Sequence, residues 1–186
     1  MADLDIVGIC GSLRQKSLNM AALKACGELM PAGMKLRIVS IADIPLYNAD
    51  VQAKGFPESV ERLKADIARA DGVIWASPEY NYSISGVLKN AIDWVSRYKD
   101  QPFQGKPGTW FACTGGPLGG GRSVTELRRI LLGLQFMMMP PPDAFIGNAQ
   151  TKIDADGKLT DEATKKFLTD HMKNLETWIG KVKRMG

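Results

Sequence analysis

The sequence predicts a doubly wound α/β sandwich, a parallel sheet of five strands with helices on both faces. Two observations predict it. Five short β-like runs alternate strictly with five amphipathic helical patterns, the order that builds a parallel sheet by crossover connections. The runs themselves are almost continuously apolar, as in strands covered on both faces.

The first run is "LDIVGIC" (4–10), rich in β-branched residues. Met20, Leu23, Cys26 and Met30 mark the first helix. "MKLRIVSI" (34–41) is the second strand, and Val60, Leu63, Ile67 and Ala70 mark the second helix. "GVIWAS" (72–77) precedes a helix carrying Val87, Leu88, Ala91, Ile92 and Val95. "GTWFACT" (108–114) precedes one carrying Val124, Leu127, Ile130, Leu131 and Leu134. The last strand falls within 136–147 and is interrupted by Pro140–Pro142. The last helix follows Leu159, Ala163, Phe167, His171 or Met172, Leu175, Trp178 or Ile179, and Val182. These spacings place one apolar stripe on each helix, read as core packing. Ile44 to Phe56 is the longest irregular connection early in the chain, and Asn148 to Gly157 is a polar excursion. No internal repeat or linker divides the chain, and its 186 residues suit one domain over 1–186.

Composition narrows the function classes. Hydrophobic residues make up 45% and charged residues 24%, as in a soluble globular protein. No window approaches the roughly 20 apolar residues of a membrane span, and no basic leader with a cleavage site is seen. A cytoplasmic protein without membrane attachment is expected. The net charge of +4 comes from basic residues scattered among acids, with only the tail "GKVKRMG" clustered. That tail reads as a solvated helix end, so nucleic acid is not an expected partner, while an anionic small molecule is favoured. Three distant cysteines without a CxxC indicate neither a disulfide framework nor a dithiol pair. The single histidine, His171, sits in a helical pattern beside Phe167, Met172 and Leu175, and reads as a packed or partly exposed helix residue. No metal site is expected. With so little catalytic equipment of its own, an enzyme of this sequence would rely on a bound cofactor.

Doubly wound sheets bind ligands at the carboxyl ends of their strands. Three loops there stand out. "GSLRQKSLN" follows the first strand and leads into the first helix, with Ser17 or Asn19 available as a cap. Free N–H groups at that helix start, hydroxyls of Ser12 and Ser17, and the Arg14 guanidinium are what a monophosphate needs. The spacing lacks the GxGxxG of a dinucleotide fingerprint and the GxxxxGK[ST] of a Walker loop. A phosphatase loop would need Arg where Lys16 stands, and a receiver domain would need Asp where Ser77 stands. "SPEYNYSIS" (77–85) follows the third strand, and its tyrosines and amide suit the edge of a planar polar ring system. "CTGGPLGGGR" (113–122) follows the fourth, and its five glycines allow close backbone approach to a ligand. Taken alone, each loop also reads as an ordinary connection: a capped turn, a rigid turn and a flexible linker.

These residues resemble a known family. Gly11-Ser12-x-Arg14-x-x-Ser17-x-Asn19 resembles the GSxRxxSxN phosphate loop of the NADPH-dependent FMN reductases, and "SPEYNYSISGVLKNAIDW" resembles their PEYN segment and following helix. "ADIPLYNADVQ" (42–52) is similar to a stretch of the bacterial quinone and chromate reductase branch. The resemblance implies a flavodoxin-like fold, strand order 2-1-3-4-5, with non-covalent FMN and with NADPH or NADH as electron donor. It implies that Ser12, Arg14, Ser17 and Asn19 bind the FMN phosphate, with Leu18 among the cofactor-binding residues. Pro78, Glu79, Tyr80 and Asn81 would line the flavin ring, and Thr114, Gly115 and Gly116 would approach its other edge. Hydride transfer through FMN to quinones, with chromate as an incidental acceptor, would be the reaction, and no side chain need act as catalyst. A homodimer or homotetramer is implied, with the helix near 85–97 at the subunit contact. The rival reading is a flavodoxin-type single-electron carrier, though such carriers are usually acidic and this chain is basic.

Overall fold

The computed structural model describes residues 3–185. In chain order it contains β1 (Leu4–Cys10), α1 (Leu18–Glu28), β2 (Met34–Val39), α2 (Ala49–Gln52), α3 (Glu58–Arg69) and β3 (Gly72–Ala76). It continues with α4 (Gly86–Val95), β4 (Pro107–Cys113), α5 (Gly121–Gly133), β5 (Met137–Met138), β6 (Ala144–Ile146) and α6 (Glu162–Val182). The strands form one parallel sheet in the order β2-β1-β3-β4-β5, with β6 also paired to β4.

Side chains that alternate along the strands feed two cores. Ile6, Ile74 and Phe111 pack with Leu23, Cys26, Met172 and Leu175 beneath α1 and α6. Val7, Trp75 and Trp110 pack on the opposite face with Leu63, Ile67, Leu88 and Leu127 of α3, α4 and α5. Burying each such side chain stabilises the fold by roughly 1.5–3 kcal/mol, so the central strands are anchored from both sides. Gly108 lies where β4 runs against its neighbours, and a Cβ there would strike the Val73 carbonyl and the Phe136 ring.

Helix starts follow from their caps. Ser17 Oγ accepts the Met20 N–H at 3.2 Å, Ser85 Oγ accepts the Leu88 N–H at 3.3 Å, and Asp161 Oδ1 accepts the Thr164 N–H at 2.8 Å. The last of these starts α6 at Glu162, three residues beyond Leu159, which instead bridges to Ile153. The irregular stretch 44–56 holds the short helix α2, capped by Asn48. The fifth strand of the sequence reading exists as two pieces. Proline lacks the N–H a ladder needs, so pairing to β4 stops after Met138 and resumes at Ala144.

His171 is packed, as its helical setting indicated. It is 2% exposed on α6, and its Nε2 lies 2.7 Å from Thr109 Oγ1 of β4. Burial pulls its pKa down to about 4, so the ring is neutral near pH 7. Among the described residues, no helix is long and apolar enough to cross a membrane.

Register brings the three loops together. Cys10 pairs beside Ala76, and Ala76 beside Phe111, so β1, β3 and β4 end at one edge. Gly11 N–H donates to the Ala76 carbonyl at 2.8 Å and Ser77 N–H to the Phe111 carbonyl at 3.0 Å. The chain thus leaves the sheet three times within a small area.

Candidate active site

The loop after β1 (11–17) ends at the first turn of α1. N–H groups there lack acceptors within the helix and, with the helix dipole, favour an anion. Ser12 and Ser17 are buried beside them, while Arg14 and Lys16 are exposed. Neither Arg14 nor Lys16 forms an ion pair among the described residues. Cys10, at the base of this loop, is a buried thiol with its pKa raised by desolvation.

Each loop is tied to the other two. Between the first and second, Ser85 Oγ donates to the Gly11 carbonyl at 2.6 Å. Between the first and third, Asn19 holds the backbone of Cys113 with both ends of its amide. Its Nδ2 donates to the Cys113 carbonyl at 2.9 Å and its Oδ1 accepts the Cys113 N–H at 3.0 Å. Between the second and third, Glu79 Oε2 accepts the N–H groups of Arg122 at 3.0 Å and Ser123 at 3.2 Å. Glu79 Oε1 also accepts from Arg122 Nη1 at 3.2 Å.

The loop after β3 turns on itself. Tyr80 and Ser83 exchange N–H to carbonyl bonds of 3.0 and 3.1 Å around Asn81 and Tyr82. Both central residues have positive φ, 49° and 70°. That conformation belongs to a tight two-residue hairpin and is uncommon for tyrosine. Tyr80 and Tyr82 stand out from the turn, 48% and 68% exposed.

The loop after β4 uses its glycines mostly for its own packing. Gly119 and Gly120 have φ of 62° and 86° and lie against Phe145 and Ala112. A Cβ on Gly115 would strike the Gln150 side chain, whereas one on Gly116 would meet nothing within 4 Å. The carbonyls of Thr114 and Gly116 accept from the N–H groups of Ala149 and Asn148, at 3.0 and 3.1 Å. This closes the chain after β6 around the loop.

These segments enclose a cleft of about 170 Å³. Ser12, Arg14, Ser17, Leu18, Asn19, Pro78, Glu79, Tyr80, Thr114 and Gly115 line it, together with Cys113. Of the site residues expected from sequence, Asn81 and Gly116 lie outside the lining: Asn81 is at the hairpin tip and Gly116 faces open space. Cys113 was not among the expected site residues, and burial pushes its thiol up to about 12. Arg122, Ser123 and Ser85, which join the loops, were not among the expected site residues. Arg122 ends the glycine run, but its partner is 43 residues away in the chain, beyond any local pattern. The cleft is smaller than the roughly 300–1,000 Å³ of a pocket that takes up a whole small ligand. It suits one anionic end of a ligand, with the rest over the open loop tips.

Known proteins resemble this chain in sequence and fold. Residues 4–151 match the family described as NADPH-dependent FMN reductase. An NAD(P)H-dependent FMN reductase of Pseudomonas aeruginosa is 42% identical over 181 residues, spanning 97% of this chain and 98% of that protein. A quinone reductase of Escherichia coli is 44% identical over 183 residues, spanning 97% of each. The solved structure of FerB, a flavoenzyme NAD(P)H:(acceptor) oxidoreductase from Paracoccus denitrificans, superposes with a TM-score of 0.88. It is 37% identical and the match covers 96% of this chain and 98% of that one. A flavodoxin of Pseudomonas aeruginosa, at 12% identity and a TM-score of 0.61, shares the fold alone. With its flavodoxin-like sheet and these full-length matches, the chain belongs to the NADPH-dependent FMN reductase family of oxidoreductases.

Proposed function

We propose that this protein is an FMN-dependent NAD(P)H oxidoreductase that reduces quinones two electrons at a time, with chromate and other oxidised metals as incidental acceptors. The carrying observation is the single cleft on which ten of the expected cofactor-binding residues converge.

The residues fit FMN. One end of the cleft offers the start of α1, the Ser12 and Ser17 hydroxyls and the Arg14 guanidinium, which has no ion pair among the described residues; these suit a phosphate. The other end offers Pro78, Tyr80 and the Thr114–Gly115 backbone, a low polar rim for a flat ring. In this reading Ser12, Arg14, Ser17 and the backbone of Leu18 and Asn19 hold the phosphate. The Asn19 side chain is already spent on Cys113, so it positions β4 against α1. Bound FMN supplies the redox chemistry, taking electrons from NAD(P)H and delivering them to the acceptor. The protein's own part is to bind and orient. His171, neutral and buried behind β4, is outside the cleft, consistent with a reaction that needs no side-chain acid. Exposed Tyr80 and Tyr82 in the loop after β3 and Leu118 in the loop after β4 favour a homodimer or homotetramer with the ring near a subunit contact, flanked by α4.

The test is an absorbance spectrum of the purified protein, then anaerobic NADPH, then a quinone. Flavin bands that bleach on NADPH and return with quinone, with rapid turnover, are expected. Bands that bleach only slowly would favour the single-electron carrier. A protein that stays colourless with added FMN would overturn both readings.

A further inference from the structure

The geometry points to Arg122 as a positioning residue that fixes the ring end of the cleft, with Glu79 serving as a strap between loops. This rests on the FMN reading above.

Three observations carry it. First, α5 has no side-chain cap of its own: Gly120 occupies the N-cap position with φ 86°. The Glu79 carboxylate takes over that role from another loop, accepting the N–H groups of Arg122 and Ser123. Glu79 is therefore saturated by groups of the chain, and its carboxylate has little left for a ligand. Second, the Arg122 guanidinium sits 4.0 Å above the Tyr82 ring while bonded to Glu79 Oε1. Third, Tyr82 and Asn81 hold positive φ in succession, a strained arrangement that persists only when its surroundings enforce it. Tyr82 is largely exposed, so core packing does not enforce it. Arg122 does, stacking on the ring at the turn's third position while gripping the residue just before the turn.

The other two ties, Ser85 to Gly11 and Asn19 to Cys113, are buried. The Glu79–Arg122 tie lies at the mouth and joins the two loops expected on either side of the ring. Releasing it frees the hairpin and the start of α5 together while leaving the phosphate loop intact. Its loss therefore weakens the hold on the ring and spares the hold on the phosphate.

The experiment is titration of flavin-free protein with FMN and, separately, with riboflavin, which has the ring but no phosphate, followed by flavin fluorescence quenching. Arg122→Ala is expected to weaken both ligands by the same factor, about tenfold. Arg122→Lys is expected to recover only part of this, because an ammonium lacks the planar fork. Visible circular dichroism of the bound flavin should change in Arg122→Ala. Unchanged affinity for both ligands, or a loss for FMN alone, would overturn the proposal. If Arg122→Ala fails to fold, Glu79→Gln supplies the same test, since it keeps one acceptor for the helix start but removes the ion pair. Should the unaltered protein bind neither flavin, the functional reading itself falls, which is a separate outcome.

Discussion

The two ends of the sheet handle charge in opposite ways. At the amino end the chain neutralises its own cations. Arg37 is gripped by Asp5 at 3.0 Å and Asp66 at 2.8 Å, Lys183 by Asp71 at 2.6 Å, and Lys64 by Asp100 at 2.6 Å. Lys106 donates to the Ala68 and Ala70 carbonyls at the end of α3. At the carboxyl end Arg62 is paired with Asp43 at 2.6 Å, but Arg14 and Lys16 beside the cleft have no carboxylate partner among the described residues, and the Glu79–Arg122 pair serves to join two loops. Cavity size does not follow this division. A groove of about 530 Å³ lined by Lys64, Tyr98, Asp100 and Lys106 lies at the amino end, against about 170 Å³ for the cleft between the three loops, and a groove of about 720 Å³ runs from Gln15–Leu18 to 153–159. In the amino-end groove Lys64 is paired with Asp100 and Lys106 is spent on two carbonyls. Unspent charge and free helix N–H groups, more than volume, separate a surface the chain has completed from one left for a ligand.

Substitutions can break or sharpen that contrast. The largest effect is expected for Asn19→Ala, which leaves the Cys113 N–H and carbonyl without partners in a buried place. A loss of roughly 2–5 kcal/mol in folding stability is expected, read from urea unfolding, with weaker FMN binding alongside. A neutral result would mean that the first and third loops are held by packing alone.

His171 lies between the ends and tests whether pH sensitivity belongs to either. Its folded pKa of about 4 is below the ordinary 6.5. The unfolded chain takes up a proton in that window which the folded chain refuses. This contribution is full above about pH 6.5 and is lost as pH falls toward 4, by roughly 2 kcal/mol between pH 7 and 5. His171→Gln should flatten the dependence of the urea midpoint on pH and leave FMN affinity at pH 7 unchanged. An equally steep dependence in the variant would assign acid sensitivity to other groups.

Arg14→Ala acts on the unspent end alone. FMN affinity is expected to fall about 10- to 100-fold, with riboflavin affinity and folding stability unchanged. Equal losses for both flavins would remove the phosphate assignment. The smallest effect is expected at the completed end. Asp100→Asn removes an exposed partner of Lys64, so the urea midpoint should not measurably shift, and flavin binding should not move.

The sequence was informative wherever a pattern was local. Apolar runs located β1 to β4 within a residue or two, because strands covered on both faces leave uninterrupted apolar stretches. Of the two caps offered for the first helix, Ser17 or Asn19, the structure uses Ser17. The short helix α2 escaped, since four residues carry no periodicity. The fifth strand, read over 136–147 with a break at Pro140–Pro142, is two short pieces on either side of those prolines, because proline cannot donate to the ladder. The candidate site follows the same division. Which loops face the cleft could be read from strand order, and the anion end from residue types. The Asn19 grip on Cys113 and the Glu79 cap on α5 span 94 and 43–44 residues, and no local spacing encodes such meetings. The glycines after β4 looked free for a ligand, but Gly115, Gly119 and Gly120 are occupied by Gln150, Phe145 and Ala112.

The broken edge of the sheet bears on self-association during folding. An uninterrupted apolar edge strand offers a template on which another chain can add, the usual route to aggregation. Here one edge is two residues of β5, a proline-containing gap and three residues of β6, too short and too interrupted for a continuous ladder. The opposite edge, β2, carries Lys35 and Arg37 among its six residues. Closing the gap by exchanging Pro140–Pro142 for β-branched residues would lengthen the ladder beside β4. Faster loss of protein to insoluble material on refolding from urea would then be expected, with the three loops at the carboxyl edge left as they are.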